Sequence, residues 1–118
     1  MNTKPLGNAG EDRAAEYLES HGCRILERQY RTPAGEIDII ARDGRTMVFV
    51  EVKTRRSTRY GTPAQAVDFR KRQKIIRSAE WYLTRQDLCD IPCRFDVIEV
   101  YSMHGDVHIR QFKGAFEA

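Results

Sequence analysis

The chain has 118 residues, 41% hydrophobic and 31% charged, with 20 Lys and Arg against 17 Asp and Glu for a net charge of +3. This length suits one domain that buries roughly two thirds of its unfolded surface, and no apolar run reaches the roughly 18 residues of a membrane helix. The first residues, MNTKPLGNAGEDRAAEYL, lack the hydrophobic core of a signal peptide, so cytoplasmic residence is expected, with Cys23, Cys89 and Cys93 reduced.

The first element is a helix from Asn8 as N-cap, with Glu11 in capping-box position and Ala14, Ala15 and Leu18 at helical spacing; His21 and Gly22 end it. CRILERQY follows as a strand and RTPAG as its turn. Two more strands, about residues 36–42 and 46–54, are joined at Asp43-Gly44, a favoured hairpin dipeptide, giving a three-stranded antiparallel meander. RRSTRYGT is a basic loop, and Thr62, Pro63 and Gln65 signal a helix that runs, interrupted near its start, to about Arg85.

Ile75, Ile76, Ala79, Tyr82 and Leu83 line one side of that second helix, with Arg70, Lys74, Arg77 and Trp81 opposite. CRFDVIEVY is a further strand, parallel to one of the first sheet because a helical crossover precedes it. His104-Gly105-Asp106 turns into a last strand, VHIRQF. The expected fold is α/β with a mixed central sheet, one domain ordered over about residues 8–112 with a flexible tail over residues 113–118.

The hairpin carries charge among long apolar residues, where an unpaired charge costs most. With Asp43 and Gly44 as loop residues, Arg42 faces Arg45, Ile40 faces Met47, Asp38 faces Phe49 and Glu36 faces Glu51. Asp38 and Glu51 are then diagonal neighbours on one face, and Lys53, two residues on, shares it. Ile37, Ile39, Val48, Val50 and Val52 form the opposite, core face. Two converging carboxylates suit a hard divalent cation such as Mg²⁺, with a lysine beside them to orient water or stabilise charge on a phosphate. A solvated polar sheet face, with Lys53 paired to a carboxylate, is the competing reading, and Phe49 on the same face counts against it.

Cys89, Cys93, His104 and His108 have zinc-like spacing, but the interval holds a core strand rather than a finger. Arg55, Arg56 and Arg59 follow Lys53 directly and suit contact with phosphates, which needs no base readout. Arg70, Lys71, Arg72, Lys74 and Arg77 on the second helix serve either the same contact or a solvated face. Tyr60 and Trp81 suit stacking on bases, and Trp81 alternatively a subunit interface.

GEDRAAEYL, GEIDII, VFVEVKTR, GTPAQAVDFRKRQKI and RFDVI, in that order, resemble the YraN-like family of small bacterial proteins. Members of that family resemble PD-(D/E)XK nucleases, in particular archaeal Holliday-junction resolvases. The resemblance implies a restriction-endonuclease-like core: helix, three-stranded meander, helix and parallel strand. It places Asp38, Glu51 and Lys53 at the signature positions, makes the Val52 carbonyl a further metal ligand, and matches Glu11 to the first-helix glutamate of resolvase-like members. It implies an endonuclease using Mg²⁺ or Mn²⁺ to hydrolyse DNA, branched or junction DNA included, and a homodimer by analogy. Arg55, Arg56, Arg59, Arg70, Lys71 and Lys74 are the candidate nucleic-acid contacts. The alternative is a non-catalytic nucleic-acid-binding or partner-docking module on the same fold.

Overall fold

The computed structural model describes residues 9–55 and 67–118. In chain order the elements are α1 (Ala9–Ser20), β1 (Arg24–Thr32), β2 (Gly35–Asp43), β3 (Thr46–Arg55), α2 (Phe69–Arg85), β4 (Cys93–Met103) and β5 (Asp106–Phe116). They build one five-stranded sheet in the order β1-β2-β3-β4-β5. Strands β1, β2 and β3 form an antiparallel meander, β4 runs parallel to β3 after the α2 crossover, and β5 returns antiparallel. The mixed α/β architecture and its order of helix, three-stranded meander, helix and parallel strand are those expected from the sequence. No helix among the described residues is long and apolar enough to cross a membrane.

Each sheet face buries its own apolar set. Ala14, Ala15 and Leu18 of α1 pack on Ile39, Ala41, Val48, Val50, Ile98 and Val100. Ile75, Ile76, Ala79 and Tyr82 of α2 pack on Ile37, Ile40, Met47, Phe49, Phe95 and Val97. Both faces of β3 are therefore covered, and its run MVFVE is buried throughout, as expected of a central strand beside a parallel neighbour.

Four expectations need correction. The hairpin loop is Gly44-Arg45 rather than Asp43-Gly44, because Asp43 still pairs with Thr46. Gly44 takes φ 61, and Arg45 stays out of the left-handed region, the backbone pattern of a turn with Gly at its first central position. Every pairing slides by two residues, so Ile40 faces Phe49 and Arg42 faces Met47. A shift of two keeps each side chain on its face; a shift of one would have inverted them. Next, Ile37 joins the α2 cluster while Ile39 joins the α1 cluster. The alternation breaks at Asp38, where the β2–β3 ladder has just ended with the pair Ile39–Val50.

The second helix starts at Phe69, after an N-cap at Asp68 whose extended backbone frees its carboxylate to accept the Lys71 N–H at 2.8 Å. Thr62, Pro63 and Gln65 lie outside the described residues. Finally, β5 continues through the segment expected as a tail. A bulge between Phe95 and Val97 lets β5 pair again at Phe116, which is buried and stacks on Phe95 at 5.1 Å. Inside the bulge the fully buried Asp96 accepts hydrogen bonds from Arg94, Gln111 and the Gly114 N–H. Those bonds tie down backbone that its polar composition alone would leave loose.

Candidate functional site

The corrected register, continued one residue past Ile39–Val50, sets Asp38 opposite Glu51, closer than the diagonal relation expected. Asp38 turns its Oδ2 onto the Val52 N–H at 2.8 Å, so its side chain takes up a β3 donor just where the two strands part. Glu51 is only 6% exposed. Burial first, then the adjacent Glu51 charge, with smaller contributions from the Glu11 charge and a hydrogen bond to Glu51, together push the Asp38 carboxyl up to about 7 against the Val52 N–H, which lowers it. A solvated acidic face is excluded for this pair. A carboxyl raised this far is partly protonated at neutral pH, which eases the repulsion between Asp38 and the adjacent Glu51.

The pair meets cations from one helix. Lys71, in the first turn of α2, places its Nζ 2.6 Å from a Glu51 Oε. Burial opposes its charge, but the hydrogen bond and charge of Glu51 more than offset this and raise its proton affinity. By sequence Lys71 is a candidate nucleic-acid contact or part of a solvated face, with no hint of its pairing to Glu51. The signal that could have found it is its place one turn before Ile75, the first buried residue of the helix.

Lys53 is half-buried and, by alternation, on the Glu51 side of β3. Glu11, 7% exposed in the first turn of α1, accepts from Arg28 Nε at 3.0 Å rather than converging on the pair. Gly10 allows this turn so close: a Cβ there would lie 2.0 Å from Thr54 Oγ1. Among the described residues, no three His, Cys, Asp or Glu side chains form a ready-made metal cluster. The Asp38–Glu51 pair nonetheless fits a hard cation chemically, since two adjacent carboxylates that disfavour each other's charge would both gain from a divalent ion between them.

Arg55 stands at the end of β3 with its Nε 3.2 Å from Glu99 of β4. Arg70 and Lys74 are exposed on α2, and Arg56, Arg59 and Tyr60 lie outside the described residues. Trp81 is 39% exposed, with the Arg85 guanidinium 5.3 Å above its ring. Cys93 opens β4 and His104 follows its end, so that strand separates the cysteine pair from the histidines by roughly 30 Å. Two buried acids escaped the sequence reading. Asp96 points away from Glu51, whose register partner is Val97, and pins the bulge. Glu99 is fully buried on the Lys53 side.

Two solved structures resemble this fold loosely. One is a complex of EndoMS with double-stranded DNA (TM-score 0.38, 20% identity, 80% of this chain and 38% of that one). The other is Pyrococcus furiosus SfsA in complex with Ca²⁺ (TM-score 0.38, 15% identity, 85% of this chain and 57% of that one). Superposition this loose shows neither activity nor ligand. Sequence relatives are much nearer. UPF0102 proteins of Syntrophotalea carbinolica (47% identity; 95% of this chain, 91% of the relative), Symbiobacterium thermophilum (48%; 98% and 99%) and Clostridioides difficile (50%; 86% and 89%) align along nearly their whole lengths. The profile of the uncharacterised protein family UPF0102 matches residues 10–100, inside which Asp38, Glu51, Lys53 and Lys71 all fall, and the chain belongs to that family.

Proposed function

We propose that the protein is a metal-dependent endonuclease whose centre is the Asp38–Glu51 pair at the point where β2 and β3 separate. The observation that carries this reading is the buried carboxylate pair itself, with Asp38 held near pH 7. A sheet has no packing use for two acids at one buried position, whereas a site built to accept a cation needs them. The resemblance to PD-(D/E)XK nucleases places the same residues at signature positions.

Asp38 and Glu51 would hold Mg²⁺ or Mn²⁺, with the Val52 carbonyl as a further donor; Glu11 would join them only by giving up Arg28. Bound there, the ion supplies Lewis-acid activation of water and neutralises phosphate charge. Lys53, on the same side of β3, offers an ammonium to a phosphate oxygen, stabilising charge that builds as the bond to the leaving oxygen stretches. Arg55 gives a guanidinium for a neighbouring phosphate. Exposed Arg70 and Lys74 extend the positive surface. DNA, branched or linear, is the proposed substrate. A homodimer suits a junction substrate, which needs two symmetric cuts.

One observation favours the second reading, a nucleic-acid-binding or partner-docking module without catalysis: Lys71 and Arg28 already neutralise Glu51 and Glu11. Labelled linear duplex, single-stranded, flap and four-way DNA, incubated with Mg²⁺, Mn²⁺ or chelator, separates the two. Metal-dependent cutting that disappears in Asp38→Asn supports the enzyme. Binding in chelator with no cutting under any metal supports the module.

A further inference from the structure

Glu99 is the most anomalous side chain outside the carboxylate pair. It is fully buried, and among the described residues neither carboxylate oxygen has a hydrogen-bond partner, although Arg55 Nε lies 3.2 Å from Oε2 without the alignment of a true bond. An acid removed from water in this way costs stability unless positive charge close by compensates it. The sheet register supplies that charge. Lys53, Glu99 and Arg110 are consecutive register partners across β3, β4 and β5 and project to one side.

Two residues along, Arg55, Tyr101 and His108 form the next row on the same side. Here His108 stacks on Tyr101 at 5.3 Å and the Arg110 guanidinium lies 5.3 Å over the Tyr101 ring. Two adjacent rows thus carry Lys53, Arg55, Arg110 and His108 around a single acid that is sealed beneath them. Both rows lie at the carboxyl ends of the parallel strands β3 and β4, where open α/β sheets take their ligands.

We propose that Glu99 is the positioning residue of a phosphate track, formed by Lys53, Arg55 and Arg110, that receives the nucleic-acid backbone beyond the scissile phosphate. The proposal rests on the reading of the ligand as a nucleic acid, and extends it across β4 to β5, which no sequence motif marks. Glu99 draws Arg55 inward and Lys53 flanks it, while the ring of Tyr101 supports Arg110 from below. The cations are then oriented before the substrate arrives, so less side-chain freedom is lost on binding.

Salt-dependent binding of a fluorescein-labelled duplex in chelator, read by anisotropy, tests this without catalysis. Arg110→Gln is expected to lower the slope of log K against log salt by about one. For Glu99→Gln, the track predicts weaker binding, although charge counting alone predicts tighter binding because a negative charge is lost. A wild-type protein that binds no duplex overturns the nucleic-acid reading and this proposal together. Wild-type binding with an unchanged slope in Arg110→Gln, or tighter binding by folded Glu99→Gln, overturns the track alone. If circular dichroism shows Glu99→Gln unfolded, the Arg110→Gln slope decides.

Discussion

A carboxyl group held near pH 7 changes charge across the range in which most enzymes work, and Asp38 is such a group. Its proton affinity is raised in the native state from the ordinary 3.8 to about 7. The native state therefore binds more protons than the unfolded chain between those values. The stability contributed by the bound proton is complete below about pH 4 and lost as pH rises through 7. Asn in place of Asp mimics the protonated acid: it can accept from the Val52 N–H and donate to Glu51. Asp38→Asn is expected to melt near the wild type at pH 4 and roughly 10 °C or more above it at pH 8, as followed by circular dichroism without divalent ions. An equal shift at both values would mean that Asp38 is not proton-linked.

At the scale of elements, the hairpin shows what a sequence reveals and what it hides. Asp43-Gly44 marked a turn, and the turn exists, but its centre lies one residue later. The faces of the paired residues, from Ile39 to Asp43 and from Thr46 to Val50, survived the error because a strand has period two; the face of Ile37 and the distance between Asp38 and Glu51 did not. Helix α2 was legible from Ile75 onward by its apolar spacing, whereas its start depends on the Asp68 cap. That Lys71 reaches Glu51 is a helix–sheet contact, invisible to spacing within either element. Strand β5 was cut short because KGAFEA reads as polar tail, while its order comes from Asp96, whose bond to the Gly114 N–H spans 18 residues of sequence. Replacing Asp96 with Ala leaves half-buried Arg94 with only the longer contact to Asp43 and frees the Gly114 N–H. A loss of about 3 to 5 kcal/mol is expected in urea unfolding, and much less for Asp96→Asn. Equal losses would show that shape rather than charge holds the bulge.

At the scale of the whole molecule, the site follows from the layering. Helix α1 covers one face of the sheet and α2 the other, and each contributes a first turn to the same end of β3: Glu11 from α1, Lys71 from α2. Strand β3 leaves β2 there while still paired with β4, so its last residues, Glu51 to Arg55, project where no second antiparallel neighbour covers them. Fold order, carboxylate pair and Lys53 were all legible in the sequence. The counter-charges of Lys71, Arg28 and Glu99 were not, because each depends on side chains from elements far apart in the chain.

Calorimetric titration of Mn²⁺ into the protein at pH 7, in two buffers of different ionisation heat, tests the metal-site claim most directly. Ion binding should displace the Asp38 carboxyl proton, so the observed heat should depend on the buffer and report uptake of up to one proton by it. Asp38→Asn should lose the binding, and Lys71→Met, which removes the competing ammonium, should bind several-fold more tightly. Buffer-dependent heat that vanishes in Asp38→Asn is the result this account predicts. Absence of saturable Mn²⁺ binding by the wild-type protein, or unchanged binding by Asp38→Asn, would contradict it.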